Sequence, residues 1–363
     1  MSFLAPLFRG AFVAHQQPMG STVQLILILS VSACEGLGNF DIPVEQLTRR
    51  CPVKRLVNIL LCVILLINFT SCNNPEEDSS STAAPPTTSS QEEYPYEVDE
   101  STVVRSEPLR VASLSPSLTE IVYTLGYGDK LVAVSDSCDY PPQTDDLPAV
   151  GSIRTPDLEQ LEEISPDYLL VSSGLLEDDL AQIQRMGIVV VKIPPADSLW
   201  DLRRVYQTLG AVLGGRITGA QKGVDLYSIM ATRIFELRTV LKRAGKSCYL
   251  IRMLDNTVAT GDTFAGDILH QMGLINLAED STGWALAADE VEQTNPDILF
   301  VDKSVDVELV KLCPLYQNSN AVKNNAVYQV DMLLFERQSK RMMQELEVMA
   351  LLAYPEGFQG SAT

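Results

Sequence analysis

Val111-Ala112-Ser113-Leu114-Ser115-Pro116-Ser117-Leu118-Thr119-Glu120 is where the chain begins to read as a folded domain. The first four residues form a short, mostly apolar run that reads as a strand, and the Ser-Pro pair marks a helix start over 117–125. Outward from this unit the alternation continues: strand 131–134, helix 157–164, strand 168–171, helix 177–186, strand 189–193. Near-continuous apolar strands separated by helices predict a parallel sheet covered on both faces, joined by right-handed crossovers.

Residues 217–243 are the longest helical candidate. Ala220, Val224, Tyr227, Ala231, Ile234, Leu237 and Leu241 fall at steps of three or four and make one apolar stripe. Gly219 and Gly223 weaken its first turns, and Gly245 ends it. A second α/β set follows, with strands near 248–251, 298–301 and 327–330 and a closing helix near 340–353. The two sets share a weak repeat. Glu159 leads through Pro166-Asp167 to Leu169-Leu170-Val171, and Asp289 leads through Pro296-Asp297 to Leu299-Phe300-Val301. By pattern alone, each acid is either a helix-start residue favoured by the dipole or one of a functional pair.

The 363 residues carry a formal net charge of −20, the opposite of the basic surface that nucleic acid requires. There are only two histidines, His15 and His270, too few for a zinc or manganese site. Cys138, Cys248 and Cys313 remain for the folded part, an odd number without metal-ligand spacing, and read as free, buried thiols.

Upstream, Lys54 and Arg55 precede an apolar run at 56–67, and Phe69-Thr70-Ser71-Cys72 follows. That order describes a secretory signal, and the run is short for a membrane span. A cysteine after small residues resembles the bacterial lipobox, making Cys72 the lipid anchor, although Phe69 fits less well than leucine. Ser32-Ala33-Cys34 is a rival lipobox, and a plain anchor at 56–67 is the bland alternative. The expected organisation is a leader or over-extended start at 1–52, a lipoprotein signal peptide at 53–72 and a flexible Ser/Thr/Pro-rich tether at 73–108. An N-terminal lobe at 109–216, a backbone helix at 217–245 and a C-terminal lobe at 246–358 complete it.

The ordered series Leu114-Ser115-Pro116-Ser117-Leu118-Thr119-Glu120, Gly126-Tyr127-Gly128-Asp129, Asp139-Tyr140-Pro141-Pro142, Val150-Gly151-Ser152, Asp157-Leu158-Glu159, Ser165-Pro166-Asp167 and Gly283-Trp284 resembles the cobalamin and ferric-chelate substrate-binding proteins of ABC importers (class III, helical backbone). The resemblance covers roughly 110–356 and is nearest to the cobalamin-binding subgroup. It implies two Rossmann-like lobes joined by one rigid helix, with the ligand between them. It implies a monomer in the cell envelope, partnered by a permease and its ATPase, that docks through one acid per lobe. By position these acids are Glu159 and either Asp289 or Glu290. In cobalamin-binding relatives aromatic side chains grip the corrin ring, and Tyr140 and Trp284 match two such positions. Each is alternatively a core or loop residue. Where those relatives carry further aromatics this chain has Ile153, Ser172 and Arg252. Arg252 either pairs with a ligand carboxylate or is a solvated strand end. Gln338-Ser339 replaces the Pro-Gly that often follows the arginine at position 337.

Cobalamin or another corrinoid is the first ligand expectation, haem the second, with Tyr140 as axial ligand and Arg252 on a propionate, and ferric siderophore the third. No Gly-x-Gly-x-x-Gly, P-loop or nucleophile elbow follows a strand. The sequence therefore offers no catalytic residue, metal site or resident cofactor, and a non-transport surface receptor and an enzyme are the less favoured alternatives.

Overall fold

A computed structural model describes residues 93–358. The expected leader, the signal peptide with Cys72 and the tether as far as residue 92 lie outside the described residues.

Two short strands, β1 (Tyr96–Glu97) and β2 (Val103–Val104), pair antiparallel ahead of the first lobe. Residues 93–104, read from sequence as tether, therefore behave differently. Val104 is fully buried, and Tyr94, Tyr96 and Val98 pack on the main core. The Glu93 carboxylate accepts the Ile217 and Thr218 amides at 2.9 and 3.2 Å. Apolar side chains scattered through a polar stretch look unburiable until a surface exists for them to cover.

The N-terminal lobe runs β3 (Val111–Ser113), α1 (Pro116–Thr124), β4 (Leu131–Val134), α2 (Leu158–Ile164), β5 (Tyr168–Val171), α3 (Glu177–Arg185) and β6 (Val189–Lys192). Its sheet has the order β4-β3-β5-β6 and is parallel throughout. Central β5 is buried along its whole length, as a strand covered on both faces must be. Ser115 caps α1 by accepting the Leu118 amide at 3.4 Å, with Pro116 at the first position where no amide is needed.

Two helices join the lobes: α4 (Leu199–Gly214), a π-helical turn (Gly215–Gly219) and α5 (Ala220–Ala244), which Gly245 ends at φ +58°. The sequence reading contained no helix at 199–214, and it treated Gly219 and Gly223 as weak points. The structure gives them a packing role. A Cβ on Gly210 would lie 2.1 Å from the Gly219 carbonyl oxygen, and one on Gly223 would lie 2.1 Å from that of Tyr206. The helices cross backbone against backbone, which glycine alone permits.

The C-terminal lobe follows with β7 (Ser247–Met253), β8 (Thr257–Val258), α6 (Phe264–Met272), β9 (Ile275–Asn276), α7 (Ala288–Glu292), β10 (Ile298–Asp302), α8 (Val307–Leu312), α9 (Asn320–Lys323), β11 (Val327–Val330), α10 (Met332–Arg337) and α11 (Lys340–Ala353). Strands β11, β10 and β7 are parallel, β8 pairs antiparallel to β7, and β9 pairs parallel to β7. One core cluster runs from Ile121 and Leu170 through Tyr206, Tyr227 and Ile234 to Leu250, Phe300 and Met349, so the joining helices and the inner faces of both lobes share buried surface. Separate clusters fill the outer face of each sheet. The molecule is thus two α/β lobes with parallel sheets, linked through α4 and the long helix α5, with a cleft between them.

Cys248 is buried, which pushes its thiol up to about 12, whereas Cys138 and Cys313 are only half-buried; all three are free. Burial was expected for all three. The latter two fall outside strand cores, where the surrounding loops leave a side exposed.

Candidate functional site

In open parallel sheets the crevice at the carboxyl ends of the strands is where ligands bind, because crossover loops leave a hollow there. Tyr140 stands in the loop after β4, Ser172 directly after β5, and Arg252 near the end of β7. A cavity of about 350 Å³ lies here between the lobes, walled by Pro195, Ala196 and Asp197 after β6, by Arg252, Phe264 and Trp284 of the C-terminal lobe, and by Phe335, Glu336 and Gln338.

Of the five expected ligand residues, this cavity brings together Arg252 and Trp284. The Arg252 guanidinium lies over the Trp284 ring, 5.1 Å from its centroid, and pairs with the Glu336 carboxylate. Trp284 is half-buried, and its backbone has φ +62°, a left-handed conformation uncommon for a bulky residue. Two hydrogen bonds hold that turn: Asp262 accepts the Gly283 amide at 2.9 Å, and the Thr260 hydroxyl accepts the Trp284 amide at 3.1 Å. The Thr260 hydroxyl in turn donates to Asp262 Oδ1 at 2.6 Å, and this bond, followed by that of the Gly283 amide, holds the Asp262 carboxyl below the usual range.

Tyr140 stands apart from that wall and is 41% exposed. It too carries a guanidinium, Arg341, 4.3 Å from its ring centroid. Ile153 packs against the outer core of the N-terminal lobe, and Ser172 is half-buried at its strand end. Neither belongs to the cavity wall.

The sequence reading gave no role to the turn at 337–341, which ties the two lobes together. Gln338 adopts φ +50° and exchanges two hydrogen bonds with the Ala196 backbone, at 2.8 Å to its oxygen and 2.7 Å from its amide nitrogen. The Tyr206 hydroxyl donates to the Gln338 carbonyl at 3.2 Å, and Ser117 Oγ donates to the Arg337 carbonyl at 2.7 Å. Glu120, Arg337 and Arg341 form a charge cluster with Asp139 beside Tyr140. The one signal for it in the sequence was the departure from Pro-Gly. Nothing in the spacing joins Glu120 to Arg341, 221 residues away.

The expected docking acids occupy matching places. Glu159 is the second residue of α2 and Asp289 the second of α7; both are exposed, and neither has a side-chain hydrogen bond or ion pair among the described residues. Glu290 differs, because its carboxylate turns back to accept the Ala287 amide at 3.1 Å, closing the helix start. His270 pairs with Glu279 at 2.9 Å on the exposed side of α6. Among the described residues no group of three or more His, Cys, Asp or Glu is placed to hold a metal ion.

Comparison with known proteins accords with this architecture. Residues 111–332 match the model of the family described as "Periplasmic binding protein". An uncharacterized ABC transporter substrate-binding lipoprotein, YvrC of Bacillus subtilis, is 29% identical over 283 residues, which span 74% of this chain and 88% of that one. A vitamin B12-binding protein of Vibrio vulnificus is 24% identical over 253 residues, 68% of this chain and 91% of its own length. The apo structure of the periplasmic heme-binding protein RhuT from Roseiflexus sp. RS-1 superposes with a TM-score of 0.57 at 24% identity, covering 68% of this chain and 98% of that one. The chain belongs to the periplasmic binding protein family, the non-catalytic solute receptors of the cell envelope that work with an ABC permease and its ATPase.

Proposed function

We propose that this protein captures a flat, carboxylate-bearing metal macrocycle, haem foremost, in the interlobe cleft and presents it to its permease. The observation that carries the reading is that both candidate aromatic residues hold a guanidinium on the ring, Arg341 over Tyr140 and Arg252 over Trp284. A π surface flanked by cations suits a planar ring with anionic substituents. Arg252 is held by the exposed Glu336 and can exchange that carboxylate for one on the ligand. The exposed Tyr140 phenol is a ready ligand for ferric iron. Ile153 and Ser172, in place of further aromatics, fit a ligand that relies less on ring contact.

A corrinoid is the second reading, favoured by the vitamin B12-binding relative. Its neutral amide rim would leave Arg252 with less to do. Delivery would use Glu159 and Asp289 against permease arginines, with Glu290 kept as the helix cap. Cys72 would carry the lipid, in line with the name lipoprotein given to the Bacillus relative. Mass spectrometry of the mature N-terminus tests this, and an intact peptide across residues 67–74 would contradict it.

Visible absorption titration with hemin, cyanocobalamin and a ferric siderophore tests the ligand. Hemin is expected to bind with a shifted Soret band that Tyr140→Phe alters. Trp284→Ala should weaken binding roughly thirtyfold, the usual consequence of removing an aromatic anchor worth about 2 kcal/mol. Cobalamin retained through gel filtration while hemin is not would overturn the haem reading in favour of the corrinoid.

A further inference from the structure

Glu120 on α1 is only 2% exposed, and an acid so buried needs compensation. Arg341 provides it, with Nε at 3.1 Å and a second contact through Nη2; Ser339 adds a hydroxyl, and Arg337 Nε lies 3.5 Å away. Two arginines against one carboxylate leave positive charge in excess. The exposed Asp139 offsets it, 3.4 Å from Arg337 Nη2 and 3.5 Å from Arg341 Nη2. Tyr140 is the next residue, and Arg341 lies over its ring. One guanidinium therefore links a buried acid on a rigid helix to the ring of a loop residue, and the balance of charge fixes where that loop stands.

We propose that Arg341 is a positioning residue for the ligand: anchored by Glu120, it covers one face of Tyr140 and so determines which face the ligand meets. The inference rests on the reading of Tyr140 as a ligand residue. Stacking, not charge alone, is the operative feature, because a planar guanidinium lies flat on a ring while keeping its hydrogen bonds to the carboxylate. A lysine ammonium keeps the ion pair and loses the plane.

The test measures hemin affinity and the bound absorption spectrum for Arg341→Met, Arg341→Lys, Tyr140→Ala and the Arg341→Met/Tyr140→Ala double variant, with thermal unfolding as the check on folding. Arg341→Met should weaken binding about tenfold and change the bound spectrum. Arg341→Lys should unfold at nearly the parent temperature yet reproduce the spectral change, and it carries the test if Arg341→Met does not fold. In the Tyr140→Ala background Arg341→Met should add less than about twofold, since it acts through the ring. Parental affinity in Tyr140→Ala would sink the site assignment itself. Weakened binding in Tyr140→Ala, with parental affinity and spectrum in Arg341→Lys, would overturn the positioning role alone. Fully additive losses in the double variant would overturn it too, by making Arg341 a direct ligand contact.

Discussion

Asp167 and Asp297 perform the same task in the two lobes. Asp167 Oδ2 accepts the Arg110 amide at 2.9 Å, and Asp297 Oδ2 accepts the Ser247 amide at 3.1 Å, each where the lobe's first strand begins. The main chain pairs at the same points, the Asp167 amide donating to the Arg110 carbonyl at 2.8 Å and the Asp297 amide to the Ser247 carbonyl at 3.0 Å. The Pro-Asp repeat is thus a strand-alignment device. The side chain supplies the acceptor that the sheet lacks at its edge row.

Asp297 makes this device sensitive to acid. Burial would raise its pKa, but donations from the Ser247 amide and hydroxyl, together with the Lys246 charge and Asn320, outweigh that and hold it below the usual aspartate value. A carboxyl depressed in the folded state contributes stability that is fully present above its unfolded pKa, about 4, and is lost as pH falls through the lower folded value. Asp297→Asn is expected to flatten the fall of melting temperature below about pH 4. At neutral pH it should cost about 1.5–3 kcal/mol, the range for hydrogen bonds to a charged group. Thermal melts of both proteins between pH 3 and pH 7 check the slope and the offset.

Gly210→Ala is expected to destabilise the protein by about 1–3 kcal/mol, as overpacking usually does. The new methyl would sit 2.1 Å from the Gly219 carbonyl oxygen, and backbone cannot yield as a side chain can. Gly174→Ala is the control, since a Cβ there meets nothing within 4 Å. Urea midpoints for the two variants should differ clearly, with Gly174→Ala close to the parent.

Charge reversal at the paired acids separates docking from helix capping. Glu159→Arg combined with Asp289→Arg is expected to abolish permease-dependent uptake in vesicles and leave ligand affinity unchanged, because both acids are exposed and neither belongs to the cavity wall. A capping role alone would lower stability by roughly 0.3–1 kcal/mol and leave uptake intact. Uptake and solution binding are measured on the same preparations.

The sequence by itself determined the local elements and their class. The runs at 131–134 and 168–171 are strands with those limits, because a strand largely covered by its lobe is apolar throughout and its ends show as polar residues. The matching Glu159 and Asp289 were legible for a similar reason, since a repeat in sequence returns as a repeat in register. Helix α4 was not legible. Its glycines argue against a helix locally, and only the crossing with α5 turns their missing side chains into close contact. The same holds for Tyr94, Tyr96 and Val98, whose burial depends on a surface built more than a hundred residues later. The site divides in the same way. Tyr140, Trp284 and Arg252 were candidates by kind and position, but the cluster of Glu120, Arg337, Arg341 and Asp139 depends on the turn of one lobe being pressed into the other. Charge pairing over such separations leaves no period in the chain; it exists only once the backbone has closed the distance, and so the tertiary structure alone decided it.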